Sequence, residues 1–195
     1  IPTIVGVCGY QQSGTWRGEH VDIEEVFLKA GYVASGGITV DELEGMADNA
    51  VRSPGVCAGM GTANSMHVVC EGLGMALPGA APVSAMSPKM LDYARQAGTR
   101  IVEMVWDDVR PRSIITRESV INASLLVLAL SGSINCVKHL QAIATEAGVD
   151  LDVYGVFQDY AARVPLLAAI RPNGDHLIED LDAAGGARAV LKRLE

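Results

Sequence analysis

Residues 55–79 read GVCAGMGTANSMHVVCEGLGMALPG, and the reading of the rest of the chain starts from them. Gly55 to Gly61 is too rich in glycine for a regular element and reads as a loop. From about Thr62 the apolar residues Met66, Cys70 and Leu73 recur at helical spacing, and Gly74 with Pro78-Gly79 closes the element. A glycine loop running into a helix presents unpaired backbone N–H groups and the positive end of the helix dipole. Cys57 lies in that loop, where a thiolate, the form that binds metal or attacks as a nucleophile, is favoured. An ordinary buried cysteine beside a capped helix fits the same letters, because one cysteine does not build a metal site. Thr62, Asn64 and Ser65 add polar groups at the helix start, as caps or as ligand contacts.

Working outward, IPTIVGV at Ile1–Val7 reads as a short buried strand. Asp22 with Glu25, and Thr39 with Glu42, read as capping boxes that open helices ending near Gly31 and before Ser53-Pro54-Gly55. On the other side, Ser87–Ala97 reads as a helix capped by Gly98. RIVEMV at Arg100–Val105 fits a strand or a helix end. Thr116 opens a long apolar helix to Leu130, Ser131-Gly132-Ser133 breaks it, and Asn135–Ala147 forms another that stops at Gly148. Short strands are expected within Val149–Val156 and at His176–Ile178, a turn at Arg171–Gly174, and a last helix at Gly186–Leu194. The expected fold is α/β: one layered α/β/α domain over residues 1–195, helix-rich, with a small buried, mainly parallel sheet.

Composition narrows the function classes. The chain has 195 residues, 15 basic and 23 acidic, for a net charge of −8, with 49% hydrophobic and 5% aromatic residues. That balance leaves no basic stripe for nucleic-acid phosphates and few stacking platforms for bases. The most apolar stretch, Val120–Leu130, is about half of the roughly 20 residues a bilayer helix needs, so no membrane partner is expected. The chain opens on Ile1-Pro2 without a basic signal region and without Met, as a portion of a longer polypeptide would. Cys8, Cys57, Cys70 and Cys136 are scattered and form no CxxC pair, which favours a reducing, cytoplasmic compartment.

Two further groups bear on chemistry. SGSINCVKHL, Ser131–Leu140, starts a helix after a small-residue break, so Ser131, Ser133 and Asn135 either bind a carboxylate or phosphate or simply cap the helix. His139 one turn on reads as a surface or core histidine, with a chemical role as the lesser reading. His67 and Glu71 stand at i and i+4, a spacing that fits a metal but more often an ordinary surface pair. Asp107-Asp108 and Asp180 with Asp182 read as solvated turns. Packing is the favoured reading for Cys8, Cys70 and Cys136.

GVCAGMGTANSM followed by EGLGMALPG resembles the dihydroxy-acid and sugar-acid dehydratases, the family that includes phosphogluconate dehydratase. Its loop runs Gly-x-Cys-x-x-Met-x-Thr-Ala-x-Thr-Met, then Glu-Ala-Leu-Gly and Leu-Pro-Gly. RIVEMVWDDVRPRSIITRESVINA resembles the family's Pro-x-x-Ile-Leu-Thr segment, SGSINCVKHL its Gly-Gly-Ser-Thr-Asn-Ala-Val-x-His-Leu motif, and VPLLAAIRPNGDHLIEDLDAAGG the close of its first domain. The likeness runs through all 195 residues. RIVEMV leans towards the sugar-acid enzymes and the Asp22–Gly37 region towards the branched-chain precursor enzymes.

The resemblance implies elimination of water from a small 2,3-dihydroxy acid or sugar acid to give a 2-oxo acid. It implies an iron-sulfur cluster, 2Fe-2S or 4Fe-4S, as Lewis acid on the departing hydroxyl, and magnesium on the carboxylate end. Cys57 matches one of three cluster cysteines, and Ser133 and Asn135 match substrate-binding positions. The other two cysteines and the magnesium ligands of the Cys-Asp-Lys motif belong upstream of Ile1, and the second domain is absent. Gly-Gly-Ser-Thr-Asn becomes Ser131-Gly132-Ser133-Ile134-Asn135, which loses a hydroxyl. The chain is therefore expected to be most of a cluster-binding N-terminal domain, inactive alone, holding no stable cluster, and associating with its own copies. Cys57 is expected to be the most reactive of the four cysteines. The alternative is a non-catalytic, free-standing domain serving in assembly or small-ligand binding.

Overall fold

A computed structural model describes residues 1–195. The two elements nearest the start are a hairpin, β1 (Gly14–Trp16) and β2 (Glu19–Val21), paired antiparallel with Thr15 opposite His20. Arg17 and Gly18 turn it with φ of 52° and 86°, the mirror-image turn geometry that matches strand twist. Arg17 stays in place by lying 4.1 Å over the Trp16 ring and by donating to Glu42 at 2.8 Å. Arg-Gly is not the usual asparagine–glycine signature of such a turn, so the hairpin is invisible in the letters.

Helices α1 (Ile23–Ala34) and α2 (Val40–Ala50) pack on this hairpin around Val21, Val26, Met46 and Ala50. Thr39 and Glu42 form the expected reciprocal cap. Asp22 accepts from the Glu25 N–H at 2.9 Å, but the Glu25 carboxylate does not reach back. It accepts instead from Arg171 at 2.7 Å. Helix α1 continues past Gly31.

The main body is helical: α3 (Thr62–Gly72), α4 (Pro88–Trp106), the short α5 (Pro111–Ile114), α6 (Arg117–Ala129), α7 (Asn135–Ala147), α8 (Val153–Tyr160), α9 (Ile178–Ala183) and α10 (Gly186–Leu194). Helix α6 starts with the exposed Arg117 and Glu118 and becomes almost wholly apolar beyond Asn122, as the inner part of a central helix must be. Val120, Ala123, Leu126 and Ala129 are all fully buried. It takes α3 on one flank, α7 and α8 on another and α10 on a third. Two apolar clusters meet along it. One gathers Met60, Leu126, Leu130, Ile170 and Ile178, the other Val69, Leu73, Val120, Leu140 and Val153.

The helix-rich α/β reading holds, and its strand content is redistributed. The one continuous sheet is the antiparallel hairpin. Parallel pairing occurs only as single bridges, Tyr10 to Val56 and to Ser84, and Ile170 to His176. Ile1–Val7 forms no ladder. Its Val5 N–H donates to Met75 O at 2.7 Å. The Val149–Val156 stretch begins α8 rather than a strand. RIVEMV is the last third of α4, which passes straight through Gly98. The reason is periodic: Met90, Tyr93, Ala97, Ile101 and Met104 continue one packed face across the glycine.

That face is not the whole of the apolar surface of α4. Leu91, Val102, Val105 and Trp106 are exposed, Trp106 at 84%. Large exposed apolar stretches mark association surfaces. The chain in solution is expected to be a dimer or larger. Sedimentation velocity over a wide concentration range checks this, and a clean monomer throughout would rule it out.

Candidate functional site

The loop before α3 is pinned from three directions. Gly55 has φ +126° and lies so close to Tyr10 that a Cβ there would sit 2.7 Å from the Tyr10 carbonyl carbon, so only glycine fits. Val56 brackets Tyr10 through reciprocal backbone bonds to Gly9 and Gln11 at 2.9 and 2.7 Å. Met60 N–H donates to Arg171 O at 2.7 Å. Asn64, buried in the first turn of α3, donates to Cys57 O at 2.7 Å and to Gly59 O at 2.8 Å. From the sequence, Asn64 reads as a cap or a ligand contact. The structure makes it the clamp that folds the Cys57 loop onto its helix, with its Oδ1 buried and unpartnered.

Thr62, Ser133 and Asn135 meet although they are distant in sequence. The Thr62 and Ser133 hydroxyl oxygens are 2.9 Å apart, and Asn135 Nδ2 donates to Thr62 Oγ1 at 3.0 Å. Ser133 N–H donates to Ser65 Oγ at 2.9 Å, and Ser133 Oγ accepts from the Asn135 N–H at 3.3 Å. These bonds draw together the N-termini of α3 and α7. The positive ends of two helix dipoles therefore meet beside the Cys57 loop, although the first α7 N–H groups are already taken, Asn135 by Ser133 Oγ, Cys136 by Ser133 O and Val137 by Ile134 O.

Other candidates separate. His67 and Glu71 do not pair. Glu71 accepts from Gly79 and Ala81 N–H at 2.7 and 2.9 Å, which fastens the Leu-Pro-Gly turn to α3. His67 Nε2 lies 3.6 Å from Cys8 Sγ. His139 is exposed. Asp182 is not a solvated turn residue, since it accepts from Tyr10 OH at 2.9 Å. Asp180 accepts from the Leu177 N–H at 2.8 Å and caps α9.

Glu24 is the residue that the sequence reading missed. An acidic residue in the first turn of a helix is ordinary, so nothing local marks it. Its carboxylate lies against Gly59, where a Cβ would be 3.0 Å from Oε1. Arg171 is engaged by Asp22 and Glu25 at 3.2 and 2.7 Å, which leaves Glu24 with no ion pair. Burial, reinforced by Asp22, pushes the Glu24 carboxyl up.

This reverses the expected electrostatics of Cys57. Its half-buried thiol is pushed up, first by burial and then by the neighbouring Glu24 charge, so the thiol form is favoured over the thiolate. Burial also raises Cys70, and raises Cys136 to about 11. Cys8 is the one exposed cysteine. Limited alkylation near neutral pH with peptide mapping is expected to label Cys8 first, Cys57 next, and Cys70 and Cys136 last. Preferential labelling of Cys57 would mean that Glu24 does not act on it.

For a metal group, one side chain here has suitable chemistry. Cys57 supplies a single thiol ligand on a loop whose backbone is already held. No three carboxylate, imidazole or thiol groups converge anywhere in the chain.

Asn64 thus clamps the glycine loop onto α3, and the first turn of α3 is hydrogen-bonded to the start of α7. The family profile described as dihydroxy-acid/6-phosphogluconate dehydratase N-terminal matches residues 1–195, and the chain belongs to that family. It is 44% identical over 194 residues to a dihydroxy-acid dehydratase of Syntrophobacter fumaroxidans. It is 40% identical to one of Ignicoccus hospitalis over 194 residues, and 41% identical to one of Methanothermobacter thermautotrophicus over 196 residues. All of this chain is covered in each case, and it spans 35–36% of the length of those relatives. No helix is long and apolar enough to cross a membrane.

Proposed function

We infer that this chain is the cluster-binding N-terminal part of a cytoplasmic hydro-lyase that dehydrates small 2,3-dihydroxy acids or sugar acids to 2-oxo acids. The carrying observation is the Thr62–Ser133–Asn135 junction beside the Cys57 loop, which directs two helix N-termini towards one place. Cys57 would be one ligand of the iron-sulfur cluster. The remaining cluster ligands and those for magnesium would come from polypeptide outside these residues. When bound, such a group stabilises negative charge on the departing oxygen.

The chain's own residues have narrower tasks. Asn64 and Gly55 hold the Cys57 backbone. Ser133 and Asn135 orient a substrate oxygen through their side chains, which Thr62 holds in place. Glu24 lowers the local appetite for a free thiolate, so the sulfur is exposed as a thiolate only when a cation balances it. The names of the relatives favour branched-chain amino acid biosynthesis as the setting.

The test uses the natural polypeptide that contains these residues, isolated without oxygen. Formation of 2-oxo acid from a branched dihydroxy acid and from gluconate is followed, and Cys57→Ser is expected to cut turnover by at least about 10²-fold. Ser133→Ala is expected to raise KM more than it lowers kcat. Full turnover in Cys57→Ser would overturn the cluster assignment. A natural product of this length with no turnover would favour the non-catalytic domain.

A further inference from the structure

Helix α4 is held from one side only. Of its nineteen residues, Met104 alone is buried. Met90 and Tyr93 pack on Val7, Ala80 and Val83, and Tyr93 OH donates to Gly79 O at 2.6 Å. Leu91, Ala94, Gly98, Val102 and Val105 form a second stripe, turned by roughly 120° from the packed one. All five are exposed, Leu91 at 65% and Val105 at 59%. A Cβ at Gly98 would meet nothing within 4 Å, so the chain's own packing does not require glycine there. Glycine weakens a helix interior, and what it permits in return is close approach of another backbone.

The stripe reads the same in both directions. Leu91 and Val105 each stand seven residues from Gly98, and Ala94 and Val102 each stand four. The ends carry opposite charges at equal distance, since Lys89 and Asp107 each stand nine residues from Gly98. Both oppose the α4 dipole, which has no acidic residue in its first turn and no basic one in its last. Within the chain Lys89 reaches Asp182 only at 3.7 Å, and Asp107 is exposed. Arg95, at the rim of the stripe, is already paired with Asp92 at 2.6 Å and brings no unbalanced charge.

We propose that a second copy of this polypeptide packs its α4 antiparallel across Gly98, at the centre of a two-fold interface. A two-fold axis through Gly98 turns the stripe onto itself. It sets Leu91 level with the partner's Val105 and Ala94 level with the partner's Val102. The acidic end of each helix then lies beside the Lys89 end of the other, and the two dipoles oppose. A parallel copy stacks like charge on like. An unrelated surface has no need of equal spacing on either side of one glycine, so the pattern selects a second copy over any other occupant of this exposed face.

The experiment uses the natural polypeptide that contains these residues, with Cys8, the exposed cysteine, replaced by serine. A residue on a two-fold axis meets its own copy. Gly98→Cys is therefore expected to give at least about tenfold more disulfide-linked dimer under oxidised glutathione than Gln96→Cys, which faces away from the stripe. Val105→Asp is expected to weaken the dimer at least about tenfold in sedimentation, while Gln96→Asp leaves it unchanged. Circular dichroism checks that each variant is folded. A polypeptide that stays monomeric at every concentration would overturn the proposal. So would a Gly98→Cys thiol that cross-links no better than Gln96→Cys, or one shielded from alkylation in the monomer, which would mean that the same polypeptide covers α4. Dimerisation unaffected by Val105→Asp would also overturn it.

Discussion

Replacing Glu71 by alanine is expected to lower unfolding stability by about 3 kcal/mol. In a domain of this size that corresponds to a fall in Tm of roughly 10 °C. Glu71 is 8% exposed and accepts from two backbone N–H groups, Gly79 and Ala81, at 2.7 and 2.9 Å. Removing the carboxylate leaves both donors facing apolar neighbours, and it also removes a charge that was costly to bury, which offsets part of the loss. Glutamine keeps one acceptor and should cost less than alanine.

A pH arm separates the two effects. Burial raises the Glu71 pKa above its unfolded value despite the backbone donors. A carboxyl with a raised native pKa contributes most stability below the unfolded value of about 4.3, and loses it as pH climbs through the native value. The wild type should therefore exceed Glu71→Gln by more at pH 5 than at pH 7 in urea unfolding. A difference that does not change with pH would show that Glu71 titrates as it does in the unfolded chain.

Gly72→Val is expected to be of similar size, about 3 kcal/mol, by overpacking. Gly72 ends α3 against the middle of α6. A Cβ there would lie 2.7 Å from Leu126 Cδ1 and 3.0 Å from the Ala123 Cα. Leu126 can turn aside, but the Ala123 backbone cannot, so the two helices must part. Gly72→Ala meets the same backbone atom, with part of the cost offset by about 1 kcal/mol of gained helix propensity. Thermal melts of both variants check this, and a valine variant as stable as the wild type would mean that α3 and α6 are not packed this closely. Because α3 carries the Thr62 end of the site, the same parting should loosen the Thr62–Ser133 contact.

Local chemistry was legible wherever it acts within a turn or two. The Thr39–Glu42 cap, the limits of α7 and the Ser131–Ser133 break follow from neighbouring residues and backbone preference. Helix α3 and its glycine loop follow in the same way, as does the family, through GVCAGMGTANSM. The hairpin did not, because Arg17 holds its turn by lying on Trp16 and reaching Glu42, 25 residues away. Helix α4 outran Gly98 because packing across Met90 to Met104 outweighs one glycine's propensity.

The sequence alone determined that the chain is helix-rich α/β, that Cys57 stands in a loop before a helix, and that Ser133 and Asn135 begin another. Only the tertiary structure decided what those groups face. It placed Asn135 on Thr62 across 73 residues. It turned Glu71 away from His67 and onto the Leu-Pro-Gly turn, and laid Glu24 over the Cys57 loop. That last contact changes the sign of the chemistry. A helix dipole seen from sequence favours the thiolate, whereas burial beside an unpaired carboxylate favours the thiol. Desolvation and through-space charge depend on which atoms pack together, and spacing along the chain does not record that.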